Sequence, residues 1–210
     1  MAPSFRDTLR HHDYDRYVCS LFAPVTKRAQ LQTLYRFDVE LARISGVVSE
    51  PMPGMIRLQW WKEAIAELYD QPTPVRRHEV TTALEALLSD VSLSRNMLEQ
   101  MVDARQRDLE TTPFATLQAL EEYAAHTSSS VLHLALEVLK VTDPNAQQLA
   151  YHLGIAWGIT RLLRSVYRQL PRGFCCIPRD RMQAQELSLD HFGSYEFADV
   201  FISEVQALIE

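Results

Sequence analysis

Glycine is scarce in this 210-residue chain, at six residues. A fold of many short strands joined by tight turns would lack its usual turn residue, so the balance moves toward helices. Cysteine is rarer still: Cys19, Cys175 and Cys176. An odd count with two adjacent thiols is no disulfide framework and suits a reducing compartment. A redox bond between Cys175 and Cys176 would be strained, because neighbouring residues seldom meet disulfide geometry. No run of 18 or more apolar residues occurs, so no transmembrane helix is expected. The first sixteen residues have no apolar core and carry Asp7, Asp13 and Asp15, which fits neither a signal peptide nor a transit peptide. An excess of positive charge is absent too: the net charge is -6, which gives no general attraction for nucleic acid. These absences point to a cytoplasmic protein.

What the chain does have is apolar residues at helical spacing along most of its length. Leu31, Leu34, Tyr35, Phe37 and Leu41 form one stripe in a segment free of glycine and proline. The sequence Ser49-Glu-Pro-Met-Pro-Gly54 breaks it, and a second helix is predicted over 56–69, closed by Gln71-Pro-Thr-Pro74. Val80, Leu84, Leu87 and Leu88 mark a third. A further helix spans 94–109, with Ser94 as its cap. Two long ones cover 115–140 and about 143–169, the latter opened by Asp143-Pro144. The run 197–209 predicts a last helix with a broad apolar stripe that needs neighbours. With no internal repeat or low-complexity linker, residues 1–210 read as one all-α domain of about seven or eight helices.

Several clusters carry chemistry on paper. His11-His12-Asp13-Tyr14-Asp15 holds metal-ligating types, but adjacent helical residues diverge, so a solvated helix start or a structural hydrogen-bond site is the plainer reading. Trp60-Trp61 lies among Leu58, Ile65 and Leu68 and reads as core, with a ligand wall as the alternative. Ser128, Ser129 and Ser130 interrupt a helical stretch, either to let another helix approach or to line a cavity. Gly154 and Gly158 make a small-residue face for close packing. On the same helix Arg161, Arg164 and Arg168 share one side. They form either a solvated basic face or an anion site, since guanidinium forks suit phosphate and carboxylate. Asp103 and Asp108, with Arg105 and Arg107, lie on an earlier helix and are placed to pair with them across a cleft.

Pro24-x-x-x-Arg28, Tyr35, Asp103, Asp108-Leu109, Tyr123, the stretch from Gly154 to Arg164 and Arg172-Gly-Phe-Cys-Cys-Ile-Pro178 follow one another in a known order. In that order and spacing the chain resembles the squalene/phytoene synthase family over nearly its whole length. The resemblance implies a helical bundle of the class I isoprenoid synthase type. Its enzymes join prenyl diphosphates head to head, with Mg²⁺ held by two D-x-x-x-D motifs on facing helices. By that alignment the four aspartates fall at Ala42, Gly46, Ser165 and Gln169, and the usual asparagine at Arg161. Asp38 and Glu40 are read as facing away from Ala42, and Asp15-Arg16 stands where the family has Ser-Phe. The chain also stops short of the family's final helices, so a C-terminal truncation is expected, leaving apolar surface near Phe201 and Leu208 uncovered.

Asp13-Tyr-Asp-Arg-Tyr-Val-Cys-Ser-Leu-Phe-Ala-Pro24, Phe37-Asp-Val-Glu-Leu-Ala42, Gln59-Trp-Trp-Lys62 and Ser129-Ser-Val-Leu132 are similar to a non-catalytic branch of the same family. That branch serves in the assembly of respiratory complex I. The resemblance therefore implies a catalytically degenerate binding or assembly factor with no catalytic residue, no metal and no cofactor. Its ligand would be a prenyl or other anionic amphipathic molecule held by Arg161, Arg164, Arg168, Asp103, Asp108, Tyr35 and Tyr123. Its partner would be a complex I subunit or assembly intermediate, with peripheral contact at the inner membrane face, or in the mitochondrial matrix if the source is eukaryotic. The alternative is a prenyltransferase of the squalene/phytoene type, which would need Mg²⁺.

Overall fold

The computed structural model describes the backbone of residues 5–70, 74–169, 176–186, 202, 203 and 206, and the side chains of these except 5, 6 and 166–169. Among the described residues the architecture is all helical, with eleven α-helices and no strand. Apart from residues 202, 203 and 206, which are helical, the predicted helix over 197–209 lies outside them, as do Phe201, Leu208 and Cys175.

The N-terminal segment forms two short helices, α1 (Phe5–His12) and α2 (Tyr14–Ser20). They are separated at Asp13, whose carboxylate caps α2 by accepting from the Arg16 N–H. Helix α3 (Val25–Ala42) starts directly after Pro24, and a short α4 (Ile44–Val47) follows. α3 is central: ten of its side chains from Leu31 to Leu41 are buried, and it packs on α1, α2, α6 and α9. Phe37 and Leu34 are fully enclosed, each contributing roughly 1.5–3 kcal/mol by burial.

Helix α5 (Pro51–Tyr69) begins one and a half turns earlier than the sequence predicts. Pro51 and Pro53 sit in its first turn, where no intrahelical N–H bond is lost, so they start the helix instead of breaking it. Trp61 packs edge-on against Phe37 at 5.4 Å, and Trp60 and Trp61 both meet the His78 ring, which places the pair in the core. Helix α6 (Glu79–Asp90) is capped by His78, whose Nδ1 accepts from the Val80 N–H at 3.2 Å while the Thr81 hydroxyl accepts from the His78 N–H.

The predicted helix over 94–109 is α7 (Arg95–Ala104) followed by a tighter 3₁₀ turn, Arg105–Leu109. The long predicted helix over 115–140 is also divided. Helix α8 (Leu117–Ala124) widens into a π turn (Ala125–Ser129) before α9 (Ser130–Leu139), which ends at left-handed Lys140. Thr127 and Ser130 hydroxyls donate back to the carbonyls of Tyr123 and Ala125, the local competition that lets a helix widen here. Helix α10 (Pro144–Gln169) runs past α8, the π turn and α9, and α11 (Arg179–Ala184) closes the described chain. Gly154 lies so close to Ser129 that a Cβ would overlap its backbone, and Ser129 Oγ donates to the Tyr151 carbonyl at 2.6 Å.

Candidate functional site

Asp38 is the centre of the site. It lies near the end of α3, 1% exposed, and accepts from three guanidinium groups brought by three other elements. Arg16 of α2 donates to Oδ2 at 2.5 Å, Arg105 of the 3₁₀ turn to Oδ1 at 2.7 Å, and Arg161 of α10 to Oδ2 at 3.4 Å. Arg16 is also paired with Asp13, and its guanidinium lies 5.2 Å from the ring centre of Tyr35. Arg105 donates in addition to Asp108 at 3.1 Å and to the Tyr123 hydroxyl at 3.0 Å. That hydroxyl in turn donates to Asp108 at 2.5 Å. Asp13, Asp38 and Asp108 thus face Arg16, Arg105 and Arg161, and the cluster is neutral as a whole.

The electrostatics follow from this closure. Burial pushes the Asp38 carboxyl up, but the guanidiniums of Arg16, Arg105 and Arg161 outweigh it and hold the group well below the usual carboxylate range. Burial opposes the charge on Arg16, but Asp38 and Asp13 hold its pKa above the ordinary value. Burial and the Asp108 charge drive the Tyr123 hydroxyl far up, so it stays protonated and able to donate. Arg161 differs. Burial and the nearby Arg16 charge pull its pKa down, with Asp38 opposing, and 31% of its side chain remains exposed.

This cluster forms one wall of a cavity of about 1140 Å³ between α1–α2, the α3–α5 corner, the 3₁₀ turn and α10. Ala42, Gly46 and Ser165, three positions at which the resembling enzymes carry aspartate, all line it. The side chain of the fourth, Gln169, lies outside the described residues, as does that of Arg168. Arg161, Arg164, Asp108 and Tyr123 line the cavity, and Arg164 bridges to Asp15 at 3.2 Å. Thr127 and Ser128 reach it from the π turn, whereas Ser129 serves the contact with Gly154, so the serine cluster divides between its two readings.

Other placements differ from the sequence reading. Asp103 does not join the cavity: it pairs with Lys62 at 2.7 Å and borders a separate depression of about 440 Å³, as residues five apart fall on different faces of a helix. Tyr35 stacks behind Arg16 instead of lining the space. Asp38 was read as facing away from Ala42, but the two are four residues apart and share a face of α3. The i, i+4 spacing was the signal that could have found it. Arg16 carried no such signal, since only the fold brings α2 onto α3.

The donor set does not fit Mg²⁺. The side chains of Ala42 and Gly46 offer no oxygen and Ser165 offers one hydroxyl; Asp13, Asp15, Asp38, Asp108 and Glu110 are paired with arginine, which leaves Glu50 as a single carboxylate among the described residues at the cavity, too few to hold the cation. Among the described residues no three His, Cys, Asp or Glu side chains converge on one point. The arrangement instead offers hydrogen-bond donors. Arg161 presents its half-open guanidinium, and Arg105 Nε and Trp157 Nε1 are buried with no acceptor.

The sequence profile described as squalene/phytoene synthase matches residues 9–210. The chain is similar to bovine (Bos taurus) NADH dehydrogenase (ubiquinone) complex I, assembly factor 6, with 33% identity over 186 residues, 89% of this chain and 55% of that protein. It is similar at 25% identity over 171 residues to presqualene diphosphate synthase of Sinorhizobium fredii, covering 81% of this chain and 57% of that one. The chain therefore spans little more than half the length of these curated relatives. Its fold is that of the squalene synthase crystal structure from Alicyclobacillus acidocaldarius, with a TM-score of 0.78 and 19% identity over 97% of this chain and 78% of that one. By the profile match and the extent of these similarities, the chain belongs to the squalene/phytoene synthase family.

Proposed function

We propose that this chain is a catalytically degenerate member of the family that acts as a binding and assembly factor for respiratory complex I. The observation that carries the reading is the replacement of a metal-binding wall by a self-neutralised one. Ala42, Gly46 and Ser165 stand where carboxylates would gather a cation, and Asp38 instead gathers three guanidiniums. Ionising a diphosphate requires divalent cations to neutralise the leaving group, and the carboxylates of the Asp38 cluster are already paired with arginine. The 33% identity to a complex I assembly factor supports the biological role. The cavity remains, and Arg161 and Arg164 on its lining make it a site for the anionic head of an amphipathic ligand, bound without Mg²⁺. No helix among the described residues is long and apolar enough to cross a membrane, which is compatible with peripheral contact at the inner membrane face.

Deleting the gene and measuring assembled complex I on native gels tests the role. Loss of the mature complex, restored by the wild-type chain, is expected; an unchanged amount of complex refutes it. The similarity to presqualene diphosphate synthase favours a second reading, prenyl transfer. Chelator-sensitive release of pyrophosphate from farnesyl diphosphate would establish that one instead.

A further inference from the structure

Among the described residues, α10 packs against α8, the π turn and α9. Its ion pairs with the helices across the cavity are two arginine–aspartate bridges, Arg161 to Asp38 and Arg164 to Asp15. The bridges are unequal. Asp38 is buried and already holds two other guanidiniums, whereas Arg164 and Asp15 are 67% and 50% exposed and both border the cavity. Arg164 therefore carries a carboxylate in the place where an anionic ligand would bind, and that carboxylate sits on the short helix α2.

We infer that Asp15 is an internal stand-in for the ligand's anionic head, and that the Asp15–Arg164 pair is a latch which an incoming anion displaces. The inference rests on the anion-binding reading above and adds its regulation. An exposed carboxylate held at a single 3.2 Å contact is a weak competitor, since such pairs are worth little and are screened by salt. A phosphate or diphosphate offers more oxygens and more charge to the same fork. Among the described residues, displacement of Asp15 leaves the buried Arg16–Asp38–Arg161 cluster as the ionic link between α2 and α10. Ligand occupancy and the mouth of the cavity are thereby coupled.

The test is calorimetric titration of the full chain with inorganic pyrophosphate and with farnesyl diphosphate, both without Mg²⁺. The variants are D15N, R164Q and, as a control for removal of one remote negative charge, E85Q on the exposed face of α6. Asn at 15 removes the competing charge, so both ligands should bind roughly three- to fivefold tighter, the affinity equivalent of an exposed ion pair. R164Q should weaken both, and E85Q should match the wild type. Equal affinity of wild type and D15N overturns the latch while leaving the anion site standing. So does an equal gain in E85Q, or a gain for farnesyl diphosphate alone, because the competition is at the head group. Absence of binding in every variant overturns the anion site itself, and the latch with it.

Discussion

Asp38→Asn removes the charge at the centre of the buried cluster and leaves its shape. Two of the three guanidiniums it holds are nearly sealed from solvent, with Arg16 and Arg105 side chains 7% and 8% exposed. At an effective dielectric of about 20, a pair of charges 4 Å apart interacts by about 4 kcal/mol, so two close partners outweigh the several kcal/mol needed to desolvate the carboxylate. With the carboxylate gone, positive charge is left buried without its partner, a change that costs about 3–5 kcal/mol in comparable sites. Urea unfolding at pH 7 should show the midpoint fall by at least about 1 M, and melting should fall by roughly 6–20 °C. The couplings should be ranked. A double-mutant cycle with Arg105→Gln should give about 2 kcal/mol or more, whereas one with Arg161→Gln should give about 1 kcal/mol or less, because that contact is longer and one-third exposed. Acid supplies an independent check. The folded-state pKa of Asp38 lies below the unfolded value of about 3.9, so its stabilisation is complete above that value and is lost as pH falls below about 4. The gap between wild type and D38N should therefore narrow below pH 4. Unfolding free energies that agree within about 0.5 kcal/mol at pH 7, or a gap that persists unchanged in acid, would refute the reasoning.

Glycine substitutions on α10 should be unequal. G154A meets the Ser129 backbone at well under 3 Å and should cost about 2 kcal/mol or more, G158A meets Ser128 Oγ, Ala124 Cβ and Ala124 Cα at 2.9, 3.0 and 3.3 Å and should cost less, and G46A, with open space around it, should be neutral or slightly stabilising; equal melting shifts for all three would contradict the packing described. H78A should lose about 1 kcal/mol of stability through the missing α6 cap, and H78N should recover most of it; failure of Asn to do better than Ala would mean the Nδ1 contact contributes nothing. No Mg²⁺-dependent pyrophosphate release from farnesyl or geranylgeranyl diphosphate is expected above the enzyme-free background. Turnover abolished by a chelator would show that the cavity recruits a cation despite Ala42, Gly46 and Ser165.

Helix content was readable because an apolar period of 3.6 is a property of the segment itself. Pro144 fixes a start because a ring with no N–H is harmless only in a first turn, and the same rule makes Pro51 a start where the sequence suggested a break. The missing carboxylates at Ala42, Gly46 and Ser165 were equally plain, as residue identity needs no fold. The division of 115–140 was less accessible. The serine run signalled trouble, but whether a helix stays α or opens into a π turn depends on what presses on it, here Gly154 of α10 against Ser129. The separation of Asp103 from Asp108 was within reach, since residues five apart do not share a helix face; the 3₁₀ tightening after Ala104, where the turn packs on α5, was not.

What the sequence determined by itself was the helical class, the approximate course of the long helices and the family; each of these is local in the chain or a matter of identity. Only the tertiary structure decided that Asp38 is a hub joined by Arg16, that Arg105 belongs to the cavity wall, and that Arg161 and Arg164 already hold carboxylates. Those partners are 22 to 149 residues apart. Periodicity says which face of a helix is buried, but charge pairing depends on which faces meet, and that is set by how α2, α3, the 3₁₀ turn and α10 pack around one core.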